Sequence, residues 1–449
     1  MQCFVINNEE IRGKRIDPSA YQMAVRREIE KLHASPYKLL PLKDVAEFGK
    51  EIITNSNSNP VYIGLENVES QTGVFVKSTE EKTEFGSALK FKKGDILFPK
   101  LRPYLNKVFL ANFDGCCSTE FYVLNGKKVL NSYLSTFLSS QIVINQTSCL
   151  MTGNTLPRLQ TADVENLLIP VPPIETQEKI VALMDKAHNS KKAMEDEAER
   201  LLSGIDDYVL GELGIKVPAI EEKKIFVLMS NEAENERINP QYHQPVFVKI
   251  IQSIKSGHFK VGNLGDLIKT IHYGASIQSD YQSEGISFLR ITNISPNKID
   301  LSNVVKINSE LKKDLGNAFV KEGDFLISRS GSVGIVTLVP KEADGFAFGS
   351  FMIRFVMNRD EINKDYISIW LNNKAMQLLI ERDKIGAIQG NITIDSIKNF
   401  VIPLPPLEIQ NKIASEVKSR MQKAAKLKEE AKSLLQKAKD EVEKMILGN

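Results

Sequence analysis

The second half of this chain repeats the first, in order, at five separated places. Arg15-Ile16-Asp17-Pro18, followed by Tyr21, answers to Arg237-Ile238-Asn239-Pro240, followed by Tyr242. Leu42-Lys43-Asp44-Val45 answers to Leu264-Gly265-Asp266-Leu267, and Tyr62 to Val68 (YIGLENV) answers to Phe288 to Ile294 (FLRITNI). Gly94-Asp95-Ile96-Leu97-Phe98 answers to Gly323-Asp324-Phe325-Leu326-Ile327. Ile169 to Glu175 (IPVPPIE), with Gln177, answers to Ile402 to Glu408 (IPLPPLE), with Gln410. A single echo could arise by chance; five in one order mean a duplicated domain. The repeat is far longer than the roughly 20–50 residues of a solenoid unit, so each copy must bury a core of its own. At 449 residues the chain is long enough for that.

Within each copy the pattern is similar. A short amphipathic helix is expected around residues 19–34 and 241–256. Short strand-like runs follow, such as Lys107 to Leu110 and Val333 to Val339, broken by Gly, Asn, Ser and Pro, which mark a mostly β domain. More helical stretches are expected near Tyr133 to Val143 and Lys364 to Ile380. Each copy then reaches its proline-rich boundary, and the texture changes. Proline is excluded from a helix interior but suits the position just before or at its start. Thr176 to about Gly211 has no proline and one glycine, Gly204. Its apolar positions, Ile180, Met184, Ala187, Met194, Ala198, Leu201, Ile205 and Tyr208, step by four and three, with Lys191 in one slot. The second stretch, about Ile409 to Met445, places Ile413, Val417, Ala424, Leu427, Ala431, Leu434 and Ala438 in the same rhythm, with Arg420 in one slot. Such a seam packs one helix along another. Each helix would run roughly 36 residues, on the order of 55 Å at about 1.5 Å per residue.

The expected fold class is therefore α+β. Two mixed, mostly β domains are separated by two long antiparallel α-helices forming a coiled coil, with pseudo-two-fold symmetry. The expected divisions are residues 1–173 and 215–406 for the domains, with 174–214 and 407–449 for the central and C-terminal helices. Helices that pack on their own domains, or that pair between two chains, would leave the same seams.

Other features exclude function classes. A net charge of +2 does not mark a nucleic-acid binder by itself. Cys3, Cys116, Cys117 and Cys149 form no CxxC pair and no zinc spacing with histidine, which fits buried thiols in a reducing cytosol. The start of the sequence lacks a secretory pattern, and no apolar run approaches the roughly 18 residues of a membrane helix. A cytoplasmic protein is expected. The five histidines are scattered, and neither a phosphate-cradling glycine motif nor an Asn/Asp-Pro-Pro-aromatic motif is present.

The proline boundary carries a resemblance. Leu168 to Ile180 (LIPVPPIETQEKI) and Val401 to Ile413 (VIPLPPLEIQNKI), each closing a β-rich domain and opening a long helix, resemble the specificity (S) subunits of type I restriction-modification systems. The other echoes, and Gly153-Asn154 against Gly390-Asn391, are similar to that family as well. The resemblance runs from about Arg15 to the end; residues 1–13 have no clear echo. It implies two target-recognition domains, each reading half of a split DNA site, with the helices setting the gap between half-sites. It also implies docking of two methyltransferase (M) subunits, which two restriction (R) subunits join where the system has them. The chain itself would do no chemistry and hold no cofactor or metal; S-adenosylmethionine would be bound by the partner methyltransferase subunits. A duplicated scaffold that binds proteins through its repeated domains is the alternative.

Within that reading, sequence must be read at base edges, while phosphate contacts position the protein. In the first copy the loop after a strand offers Lys100, Arg102, Tyr104, Asn106 and Lys107. Arginine can pair with guanine, asparagine with adenine, and lysine suits phosphate. The matching place in the second copy offers Arg329, Ser330 and Ser332 among glycines. A second region offers Thr152, Asn154 and Arg158, matched by Gln389, Asn391 and Thr393, and Arg290 is a further candidate. For any one of these a solvated turn residue is the competing reading. The seam residues Ile180, Met184, Met194, Leu201, Ile205, Ile413, Val417, Leu427 and Leu434 are the expected coiled-coil contacts.

Overall fold

A computed structural model of the protein describes residues 30–54, 60–77, 86–151, 157–219, 225–227, 239–277, 281–358, 361–386 and 390–448. The Arg15 to Tyr21 echo and most of the helix expected over 19–34 lie outside them. The described residues group into two compact units. One holds residues up to Glu195 together with those from Lys428 onward, and the other is Asp196–Leu427.

In the first unit, Ala46–Gly49, Phe121–Gly126, Ile96–Pro99 and Phe109–Leu110 form a four-stranded antiparallel sheet in that order. A second sheet runs Ile52–Ile53, Ala88–Phe91, Gly115–Ser118, Tyr62–Ile63, and its last pair is parallel, with Tyr62 beside Cys116 and Ile63 beside Cys117. Both thiols are buried, and burial raises them to about 11 and about 12, so they stay protonated and inert. A small antiparallel ribbon pairs Lys38–Pro41 with Leu168–Val171.

The second unit repeats the plan. Ile268–Tyr273, Met352–Met357, Phe325–Ser328 and Val336–Leu338 form the antiparallel sheet. Val261–Asn263 pairs with Val401–Pro403. Ile286–Leu289 again lies parallel to a partner strand, Ala347–Phe348. The decoration around that pair differs. In this unit the extra strands, Val305–Ile307 and Tyr281–Gln282, attach to the free edge of Ile286–Leu289. In the first unit they attach on the Gly115–Ser118 side.

Among the described residues, the echoed motifs below are framework. Asn67 and Asn293 are buried, and their Oδ1 atoms accept from the backbone N–H three residues earlier, of Gly64 and Arg290, each at 2.9 Å. Gly94 and Gly323 have φ of +95° and +77°, a region that favours glycine, and the aspartate after each accepts from the backbone N–H of Lys92 or Lys321. The proline boundary is built twice by one device. The Tyr133 hydroxyl donates to Pro170 O at 2.9 Å, and Tyr366 donates to Pro403 O at 2.8 Å. Gln177 donates to Pro172 O and accepts from Leu130 N, while Gln410 donates to Pro405 O and accepts from Asn363 N. Both glutamines are buried, so they satisfy backbone groups that the prolines leave out of any ladder.

The helices α1 (Ile174–Ser203), α2 (Ile205–Leu213) and α3 (Leu407–Leu447) follow these boundaries. α1 and α2 meet at Gly204, whose N–H donates to Arg200 O at 3.1 Å and whose carbonyl accepts from Tyr208 N at 3.2 Å, so the stretch expected as one helix from Thr176 to Gly211 runs on with a local irregularity at this glycine. In the first unit Ile180, Met184 and Ala187 share a core with Leu435, Ala438, Val442 and Ile446. In the second, Val209, Leu210 and Leu213 share one with Ile413, Ala414 and Val417. There Lys412 bonds Glu212, Arg420 bonds Gly204 O and Lys423 pairs with Glu197 at 3.6 Å. Along these contacts the numbering rises on α3 while it falls on its partner, so within this unit the pair is antiparallel. Met194, Leu201, Ile205, Leu427 and Leu434 are half-buried; beside Leu434 it is Leu435 that the core encloses. Arg420 lies 4.5 Å over the Tyr208 ring and also bonds Glu416, which explains a cation in an apolar seam. No helix among the described residues is long and apolar enough to cross a membrane.

Candidate nucleic-acid interface

Each unit carries the same turn beyond the end of its antiparallel sheet, and the two turns bear different side chains. In the first unit the strand Ile96–Pro99 runs into Lys100, whose backbone N–H donates to Glu120 O at 2.8 Å and whose carbonyl accepts from Leu159 N at 2.9 Å. Leu101 bridges Arg158. In the second unit Phe325–Ser328 runs into Arg329, whose N–H donates to Phe351 O at 2.8 Å and whose carbonyl accepts from Ile392 N at 3.1 Å. Ser330 bridges Asn391. Lys100 therefore matches Arg329, Glu120 matches Phe351, and Arg158 matches Asn391. The fold brings together, in each unit, the two regions that are far apart in the sequence.

The next position is left-handed in both, with Arg102 at φ +50° and Gly331 at φ +76°. Glycine adopts this freely; an arginine does so at a steric cost, and such positions cluster at functional sites. Arg102 is exposed, and its backbone N–H is fixed by Pro157 O at 3.1 Å. Tyr104, in the short turn that follows, is 42% exposed.

The remaining candidates divide by environment. Lys100 donates to Thr119 O at 2.7 Å and lies 4.6 Å over the Tyr122 ring. Burial pushes its ammonium below the ordinary lysine range, against the opposite pull of Glu120. Asn106 is only 2% exposed; it donates to Ser139 O at 2.8 Å and is spent on holding the loop. Lys107 donates to Leu65 O at 2.8 Å. Arg158 grips Glu120 with Nε and one terminal nitrogen, at 2.7 to 3.1 Å, and this bonding draws the Glu120 carboxyl below its usual range. In the second unit the Arg329 guanidinium lies 4.8 Å over the Tyr273 ring. Ser330 is buried and Ser332 exposed, and the Ser332 carbonyl accepts from the Ser328 hydroxyl. Thr393 caps the helix Ile394–Lys398 by accepting from Ser396 N at 3.1 Å. Arg290 lies 5.4 Å over the Tyr281 ring and donates to Asn303 O. Thr152, Asn154 and Gln389 lie outside the described residues.

Sequence reasoning missed Glu120, Tyr273 and Phe351. Phe351 is 50% exposed at the rim of the second turn, beside Arg329. None of the three lies in an echoed motif, so only the fold reveals them as neighbours of the basic turns. Among the described residues no group of three or more His, Cys, Asp or Glu could hold a metal ion.

The model of the Type I restriction modification DNA specificity domain matches this chain twice, over residues 35–201 and 257–436. The EcoBI specificity subunit of a type I restriction enzyme from Escherichia coli is 22% identical over 268 residues, 59% of this chain and 53% of that one. The aligned part thus spans about half the length of that relative. The MjaVIII specificity subunit of Methanocaldococcus jannaschii is 23% identical over 348 residues, covering 76% of this chain and 75% of its own. A solved chain, from a structure concerned with complex assembly and conformational transition of the type I R-M system, matches with a TM-score of 0.57. Its identity is 19%, and the match covers 92% of this chain and 97% of that one. At that identity the likeness speaks for the fold.

Proposed function

Since the chain belongs to the type I restriction modification DNA specificity family and carries its domain twice, we propose that it reads a two-part DNA site, one half with each unit. The observation that carries this reading is the matched pair of turns. They share a backbone plan, yet one offers Lys100, Arg102, Tyr104 and Arg158 and the other Arg329, Ser332, Phe351 and Asn391. One frame with different side chains is what two unlike half-sites require. Arg102 and the lysines bring positive charge to the first turn, and Arg329, over the Tyr273 ring, brings it to the second.

On this proposal the chain performs no chemistry. It recruits methyltransferase subunits that bind S-adenosylmethionine and modify adenine, and restriction subunits where the system has them, in the cytoplasm. The paired helices supply the docking surface, and their length sets the spacer between half-sites. A protein-binding scaffold would keep assembly but read no sequence. Footprinting of the reconstituted complex on DNA tests the proposal. Two protected blocks flanking a sequence-indifferent spacer are expected; one continuous block, or no sequence-dependent protection, would overturn it.

A further inference from the structure

Glu120 is an acid on the turn that otherwise gathers cations. On a surface that meets phosphates a carboxylate is unfavourable, so its presence requires a compensating role. Besides its charge beside Lys100, its side chain clamps the Nε side of the Arg158 guanidinium, with Nε at 3.1 and 3.0 Å from the two oxygens and a terminal nitrogen at 2.7 Å. The Arg158 and Glu120 side chains are 42% and 28% exposed, so the pair sits at the surface. Beyond any stability it adds, a two-point clamp supplies orientation. It fixes the plane of a flexible side chain before a ligand arrives, which removes an ordering cost from binding. Guanine presents O6 and N7 as a matching pair of acceptors to a planar fork held in this way.

The second unit provides the control. Where Glu120 stands, the same backbone position is Phe351, and where Arg158 stands, it is Asn391. The acid is absent where the arginine is absent, so the two residues differ between the turns as a pair.

We propose that Arg158 reads a guanine in the half-site of the first unit and that Glu120 is the positioning residue that aims it. This rests on the DNA-reading proposal above. The test maps methylated sites in cells that carry the full chain with its methyltransferase partner. For Arg158→Ala, discrimination at one guanine should fall on the order of 10- to 100-fold, the size of one lost bidentate contact. Glu120→Gln keeps the size and part of the hydrogen bonding but not the charge. It should relax the same position to a lesser degree, and Glu120→Gln combined with Arg158→Ala should add nothing further. The other half-site stays unchanged throughout. A purely structural clamp would instead lower methylation evenly at every position, and that result, or an unaltered motif in both variants, overturns the inference. If the unaltered chain directs no sequence-specific methylation at all, it is the underlying DNA-reading proposal that fails.

Discussion

Replacing Gln410 with methionine should weaken the second unit by about 2–4 kcal/mol. The side chain is 4% exposed and makes two hydrogen bonds across the proline boundary, to Pro405 O at 2.8 Å and from Asn363 N at 3.0 Å. Methionine fills nearly the same volume, so the packing change is small. The two backbone groups are left without partners, each at about 1–3 kcal/mol. The Asn363 end is partly open to water, which argues for the lower part of its range. Trp370 is the chain's only tryptophan, and it is buried in this unit with its Nε1–H on Val401 O at 2.8 Å, so it reports on the same boundary. In urea, with a slope of about 2–3 kcal/mol per molar, the tryptophan fluorescence midpoint should fall by about 1 M. Glu408→Gln, exposed in the same motif, should stay within about 0.5 kcal/mol. Equal midpoints for the two variants would refute the role given to the glutamine.

Three further outcomes are expected. Arg420→Met removes the contact with Tyr208 and the bonds to Gly204 O and Glu416, and should cost about 1–2 kcal/mol in the same assay; an unchanged midpoint would show that the seam does not need them. His188 faces Lys439, Lys191 and Asp185, and burial first, then Lys439, holds its imidazole below the ordinary value of 6.5. The folded first unit therefore favours the neutral ring. The stability tied to that ring is complete above about pH 6.5 and is lost as pH falls toward the depressed folded value. His188→Gln should flatten that loss between pH 8 and 5.5 in thermal melts, and an identical pH slope would count against it. One heptad inserted into each long helix adds about 10 Å and should lengthen the spacer by about three base pairs with both half-sites kept; a constant spacer in the methylation map would remove the helices from that role.

The duplication, the proline boundary and the two helical seams were legible because they depend on local chemistry. Proline punctuates, and heptad spacing follows from helix geometry. The local irregularity at Gly204 was not legible, since a single glycine costs about 1 kcal/mol in a helix and is often tolerated. Its mark is the Gly204 carbonyl bonded by Arg420, a residue more than two hundred positions away that read from the sequence only as a cation in an apolar slot. The basic turns were visible as clusters of Lys, Arg and Ser, but their partners were not. Glu120 and Phe351 reach them through sheet register, which pattern alone does not give. Asn106 shows the opposite error of inference: an amide in a polar loop suggests recognition, yet the fold turns it inward onto Ser139 O.

Methylation mapping of Arg102→Ala and Arg329→Ala, each assembled with the methyltransferase partner, tests the two-reader account most directly. The first variant should degrade recognition of one half-site only, and the second recognition of the other only. Loss of the same bases in both variants, or a uniform loss across the whole site, would contradict it.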